Sequence, residues 1–169
     1  VIRSNTVGNS FLAVYADDFI AGFQYKEDAE RYYALLKERL KKFNLELEES
    51  KSRMIEFGKY AEINSKRKYG RKAETFNFLG FTLYCGKSRH SGEFCVKLKT
   101  NSKKFTQKLK QTKEWLYQNN DLPVKELITR LNKKLVGHYR YYGVSHNINK
   151  LSAFLHYVQR YLFKVLNRR

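Results

Sequence analysis

Phe11–Tyr15 and Phe19–Phe23 are two apolar runs with no polar alternation, separated only by Ala16, Asp17 and Asp18. Runs of this length predict two strands joined in a tight hairpin, and the lack of a polar face predicts protein cover on both sides. From Lys26 to Phe43 the spacing changes. Tyr32, Leu35, Leu36, Leu40 and Phe43 recur at helical intervals, with Glu27, Asp28 and Glu30 in the first turn and basic residues in the last. Leu45 and Leu47 predict a short strand, and Met54–Phe57 another. Residues 59–75 are polar and rich in Lys and Arg, which predicts a loop. Phe76–Tyr84 and Glu93–Leu98 then predict a second hairpin, linked by polar residues 86–92. Beyond Thr100 the period is helical throughout. Phe105, Leu109, Thr112 and Leu116 form one stripe, and Val124, Leu127, Ile128, Leu131 and Leu135 a second, opened by Pro123. Ile148, Leu151, Leu155, Val158, Leu162 and Val165 form a third. The predicted fold is α+β: a mixed part, residues 1–100, made of antiparallel hairpins with a packed helix, then a three-helix part, residues 101–169.

Charge is also divided unevenly along the chain. The 169 residues carry a formal net charge of +18. Residues 1–75 hold 15 Lys and Arg against 12 Asp and Glu, whereas residues 76–169 hold 19 against 4. The second half is a polycation with aromatic residues among its charges, a composition that attracts nucleic acid through counterion release. A membrane partner is not expected, because no apolar run is long enough to span. Cys85 and Cys95 are too few for a disulfide framework or a zinc site; they stand across the second hairpin, and reduced thiols are the expected state. No signal peptide is visible, so an intracellular, cytoplasmic protein is expected. The chain opens on Val1, almost directly before the first hairpin, and reads as a piece of something longer.

Asp17 and Asp18 place two like charges at the tip of an otherwise uncharged hairpin. Repulsion and desolvation would press one of them to take up a proton, and a divalent cation removes that conflict. Paired oxygens suit Mg²⁺, which is held by one or two carboxylates together with substrate phosphates. Asp is also an ordinary turn residue, since its side chain bonds local backbone and tolerates left-handed conformations. Ala16-Asp17, however, is a poor two-residue turn, because hairpins favour Asn-Gly, Asp-Gly or Gly-X there.

Tyr15-Ala16-Asp17-Asp18 resembles the YADD form of the YxDD motif in the palm of reverse transcriptases. Residues 49–58 and the segment Phe76-Asn77-Phe78-Leu79-Gly80-Phe81 follow in the order expected of such a palm. Gly137-His138-Tyr139-Arg140-Tyr141-Tyr142-Gly143-Val144 resembles the thumb, or maturase domain X, of group II intron-encoded proteins. The resemblance implies a partial polymerase palm followed by a basic three-helix thumb. It implies RNA-directed DNA synthesis with a maturase role in intron splicing and mobility, in a bacterial cytoplasm.

By that resemblance Asp17 is the main metal ligand and Asp18 the weaker one, in a two-metal Mg²⁺ site. Tyr15 and Ala16 lie near the primer end, and Lys51 is a candidate acid for the departing pyrophosphate. Phe78, Leu79 and Gly80 belong to a primer grip. Lys103, Lys104, Lys108, Lys110, Lys113, Lys133, Lys134, His138, Arg140 and Tyr141 are the candidate RNA contacts, Arg160, Lys164, Arg168 and Arg169 add to the charge, and Tyr139 and Tyr142 are further stacking candidates. The expected partners are template or intron RNA, a DNA primer and, for the full-length protein, deoxynucleoside triphosphates. A third metal-binding aspartate and the fingers are expected upstream of Val1. The metal site is therefore expected to be incomplete, the isolated chain inactive, and an uncovered palm edge open to dimerisation. Two alternatives stand beside this reading. One is a non-catalytic RNA-binding splicing cofactor that retains the YADD turn. The other is an unrelated Mg²⁺-dependent nuclease using Asp17 and Asp18, against which the order of the motifs argues.

Overall fold

The computed structural model describes residues 6–50 and 52–168. Its contacts divide into two compact units, residues 1–55 and 56–169. This division of packing falls well before residue 100, because the second hairpin region packs with the helices that follow it.

In the first unit, β1 (Ser10–Tyr15) and β2 (Asp18–Phe23) pair antiparallel, with Tyr15 opposite Asp18. Helix α1 (Lys26–Lys41) packs on β2, where the rings of Phe23 and Tyr32 lie 5.1 Å apart. Asp28 is buried, and it does more than favour the helix dipole. Its carboxylate accepts the backbone N–H groups of Val7, at 3.1 and 3.2 Å, and of Gly8, at 3.0 Å. The expected cover on both faces of the ribbon is not provided by this unit: one helix covers β2, while Phe11, Val14 and Tyr15 on β1 stay exposed. The strand expected at Leu45 and Leu47 is also absent. The Leu45 N–H turns back to the Leu40 carbonyl at 3.0 Å, closing the end of α1 through a left-handed Asn44 (φ 54°).

Met54–Phe57, at the boundary of the two units, do not form the expected strand, and Phe57, in the second unit, packs edge-on against Phe76, with ring centroids 4.9 Å apart. The loop expected over residues 59–75 contains α2 (Ala61–Tyr69). Only Ala61 and Ser65 are buried on it, a stripe too narrow and too small to show as apolar periodicity. Gly70 ends the helix in the left-handed conformation (φ 64°), as is common at that position.

Phe76–Tyr84, expected as one strand, is two. β3 (Phe76–Phe78), β4 (Phe81–Lys87) and β5 (Phe94–Thr100) make a three-stranded antiparallel sheet in sequential order. Cys95 lies opposite Gly86 and Cys85 opposite Val96, and both thiols are free. Three long helices follow: α3 (Ser102–Gln118), α4 (Val124–Tyr142) and α5 (Ile148–Leu166). Asn101 caps α3 by accepting the N–H groups of Lys103 and Lys104. Pro123 is the residue before the first turn of α4.

The core joins Phe105, Leu109 and Leu116 of α3 to Leu127 and Leu131 of α4 and to Phe154, Val158 and Val165 of α5. The α3 stripe is buried as expected, Thr112 included. On α5 the seam is rotated: Phe154 is among the most buried side chains, whereas Ile148 is exposed. No described helix is long and apolar enough to cross a membrane.

Candidate nucleic-acid interface

The acidic tip is built by a strained turn. Ala16 and Asp17 are the two central residues between paired Tyr15 and Asp18, and Ala16 carries φ 51°. A positive φ at the first central position is where a type II′ turn ordinarily has glycine, and a non-glycine residue held there is an outlier associated with functional sites. Asp17 and Asp18 are exposed, and neither carboxylate has a hydrogen-bond or ion-pair partner among the described residues. This donor set fits Mg²⁺ in the manner of one or two carboxylates completed by substrate phosphates. It does not make a protein-only cage, because no group of three or more His, Cys, Asp or Glu could hold a metal among the described residues. Lys51 lies outside the described residues.

In the second unit, Leu79 and Gly80 form the two-residue turn between β3 and β4, with φ 47° and 76°. Positive φ at both positions is the requirement of a type I′ turn, which suits the twist of a hairpin. Leu79 therefore sits in a conformation that ordinarily favours Asn, Asp or Gly. The turn is fastened to the helices. The Tyr141 hydroxyl donates to the Leu79 carbonyl at 2.9 Å, and the Asn101 N–H donates to the Gly80 carbonyl at 2.9 Å. Gly80 is required twice over, since a Cβ there would lie 2.9 Å from the Tyr142 hydroxyl oxygen. Phe81 stacks on Tyr141 and meets Tyr142 edge-on. Phe78 is half-buried on β3. Behind the turn, buried Asn147 accepts the Thr100 N–H at 2.8 Å and donates to the Thr100 hydroxyl at 2.8 Å and the Tyr142 carbonyl at 2.9 Å. One amide thus ties β5, the end of α4 and the start of α5 together.

The basic residues separate into groups. Lys104 and Lys108 of α3 and Lys133 and Lys134 of α4 line a cavity of about 410 Å³, together with Gln107, Gln111, Gly137, His138, Tyr141 and Tyr142. None of these four lysines has a carboxylate within ion-pair distance among the described residues. Lys134 also lies over the Trp115 ring at 4.8 Å. Lys103, Lys110, Lys113 and Arg140 do not line the cavity. Lys110 pairs with Glu114 at 3.9 Å, and Lys113 lies over the rings of Tyr117 and Tyr161.

His138 is a wall of this cavity rather than an exposed cation. Its ring lies flat on Phe154, with centroids 3.9 Å apart, and its Nδ1 is buried without a hydrogen-bond partner. Burial first, and the Lys108 ammonium second, push its pKa down to about 4, so the imidazole is neutral at pH 7. Tyr139 also has a buried hydroxyl without a partner, and burial raises its pKa and that of Tyr142.

Sequence reasoning missed Gln107, Gln111 and Asn147. The first two were legible, since positions 104, 107, 108 and 111 share one helical face. Asn147 carried no local signal, because its partners are set by tertiary structure.

An exposed acid pair on a strained hairpin and, in the same chain, a helical unit with a lysine-lined cavity are features suited to a nucleic-acid-binding protein. Comparison with known families makes this specific. Residues 2–83 match the reverse transcriptase (RNA-dependent DNA polymerase) family, and residues 102–169 match the maturase-specific domain of group II introns. The chain belongs to the group II intron reverse transcriptases and maturases, which carry out RNA-directed DNA synthesis and assist their intron RNA. No curated protein and no solved structure gave a significant match.

Proposed function

We propose that the two matched regions divide the work at the residues described above: the Asp17–Asp18 tip serves DNA synthesis, and the α3–α4 face holds RNA. The observation that carries the second half is the convergence of Lys104, Lys108, Lys133 and Lys134, without acidic partners among the described residues, around one cavity. Unpaired ammonium groups on a concave face attract phosphates without requiring a particular sequence. Two exposed carboxylates carry the first half. Asp17 is the principal ligand and Asp18 the lesser one for Mg²⁺, which when bound supplies charge neutralisation at the phosphate undergoing displacement by the primer hydroxyl. The substrates are deoxynucleoside triphosphates, with an RNA template and a DNA primer.

The residues around these carboxylates position rather than react. Tyr15 and Ala16 set the hairpin tip. The Leu79–Gly80 turn, with both carbonyls engaged by the helices, offers a stiff backbone edge on which a primer can rest. Lys51 remains the proposed proton donor to pyrophosphate. The exposed residues Phe11, Val14 and Tyr15, on a ribbon whose two outer edges pair with no strand among the described residues, are a surface for further strands or a second copy.

The test is Asp17→Ala in the full-length protein. Loss of DNA synthesis with intron RNA binding unchanged supports the division of work, and undiminished synthesis would refute it. Because the described residues provide two carboxylates and not three, the purified 169-residue chain is expected not to extend a primer, and templated extension by it would contradict this assignment.

A further inference from the structure

The cavity between α3 and α4 has more than phosphate chemistry. Its mouth carries four ammonium groups, but Gln107 and Gln111 lie one turn apart on the same helix, and neither amide has a partner among the described residues. Behind the mouth is a recess of about 100 Å³ lined by Thr112, Trp115, Leu131, Leu135 and Phe154. Lys108, Gln111, Lys134 and His138 line both spaces, so mouth and recess adjoin. The wall between them contains the neutral His138 ring, with its unpartnered Nδ1.

A face that only tracked a backbone would need the lysines alone. A basic rim, two free amides and an apolar, aromatic back are the parts of a nucleotide site. Phosphate matches the ammonium groups, a base edge matches amides that both donate and accept, and a base face matches the recess. Bases in a duplex are stacked and cannot enter a concavity, whereas those of loops, bulges and single strands can be splayed out and captured.

We propose that this cavity is a single-nucleotide pocket that captures one unstacked nucleotide of the bound RNA, with its phosphate at the Lys104, Lys108, Lys133 and Lys134 rim and its base edge at Gln107 and Gln111. The proposal rests on the RNA-binding role of the α3–α4 face and adds selection for unpaired RNA. An acidic peptide would satisfy the rim but leave the amides and the recess without a role.

Trp115 is the single tryptophan of the chain and lines the recess, so its fluorescence reports occupancy directly. The purified chain is titrated with a single-stranded RNA octamer, a blunt-ended RNA duplex without loop or overhang, a ribonucleoside monophosphate and inorganic phosphate. The octamer is expected to change Trp115 emission saturably, the monophosphate to do so at much higher concentration, and the duplex and phosphate to leave it unchanged. In Gln107→Ala/Gln111→Ala the response to the octamer is expected to be lost and its affinity to fall about tenfold, while duplex binding and its salt dependence stay as in the parent. Both glutamines are exposed, and Ala favours the helix, so this variant is expected to fold. An equal response to duplex or phosphate, or unchanged octamer binding by the glutamine variant, overturns the pocket. If Lys104→Ala/Lys108→Ala/Lys133→Ala/Lys134→Ala binds both RNAs as well as the parent does, it is the RNA-binding role of the face that fails instead.

Discussion

Replacing Asn147 by Ala tests whether the second unit is held as one piece. The side chain has no exposed surface, and its amide makes three hydrogen bonds: from the Thr100 N–H and to the Thr100 hydroxyl and the Tyr142 carbonyl. Truncation strands the Thr100 N–H in a residue only 1% exposed, and it removes a partner from the Tyr142 carbonyl. A buried polar group left without a partner costs about 1–3 kcal/mol, so the combined loss is expected to be about 3–4 kcal/mol. Against a domain stability of about 5–15 kcal/mol this is a large fraction. Urea denaturation followed by Trp115 fluorescence reads the second unit alone. Thr100→Val, which removes one acceptor while Asn147 keeps its other bonds, is expected to cost about 1 kcal/mol, and the two losses should be less than additive. Hydrogen exchange supplies a local readout, with the Thr100 amide protected in the parent and opened in Asn147→Ala. A loss below about 1 kcal/mol with protection retained would refute the argument that this amide ties the β5 end to the helices.

Acid stability should depend on His138. The folded state holds the proton only below about pH 4, whereas the unfolded chain takes it up near 6.5. Stability is therefore full above pH 6.5 and declines as pH falls toward 4, by about 3 kcal/mol at most. His138→Gln should flatten that slope in urea titrations at a series of pH values, and an unchanged slope would contradict the assignment. Asp28, its carboxyl held below the usual range mainly by the Gly8 N–H, should add a further loss at lower pH in the first unit. Asp28→Asn should remove that loss, as read by exchange at the Val7 and Gly8 amides. Gly80→Ala should destabilise the second unit by about 1–2 kcal/mol, because it combines left-handed strain with a Cβ pressed on Tyr142. A neutral effect on the urea midpoint would show that the turn relaxes freely.

Much of the fold was legible where one face of an element is consistently apolar. The buried stripe of α3 matches its periodicity residue for residue, and α1 and α5 lie close to their expected spans, whereas α4 runs on to Tyr142, beyond the stripe that ended at Leu135, and leaves Val124 and Ile128 exposed. Helix α2 was not legible, because Ala61 and Ser65 make a stripe without large apolar side chains. The break between β3 and β4 was hidden inside an apolar run, since Leu79 occupies a turn position that sequence patterns assign to Asn or Gly. At the candidate interface, residue type singled out the lysines as candidates but not the face that four of them share. Helix phase separates Lys104 and Lys108 from Lys103 and Lys110, and only packing against α4 brings Lys133 and Lys134 beside the first pair. His138, counted among exposed contacts by its basic neighbours, is buried against Phe154 because α5 crosses behind it.

The claim that RNA is held at the cavity face, and not by diffuse positive charge, is tested most directly by the salt dependence of intron RNA binding. The variant lacking Lys104, Lys108, Lys133 and Lys134 is compared with one lacking Lys103, Lys110 and Lys113. Single-stranded contacts contribute about 0.7 each to the slope of log affinity against log salt, so the first variant should lose about 3. The second should lose less than about 1. Losses in proportion to the number of lysines removed, whichever set is taken, would contradict a localised site.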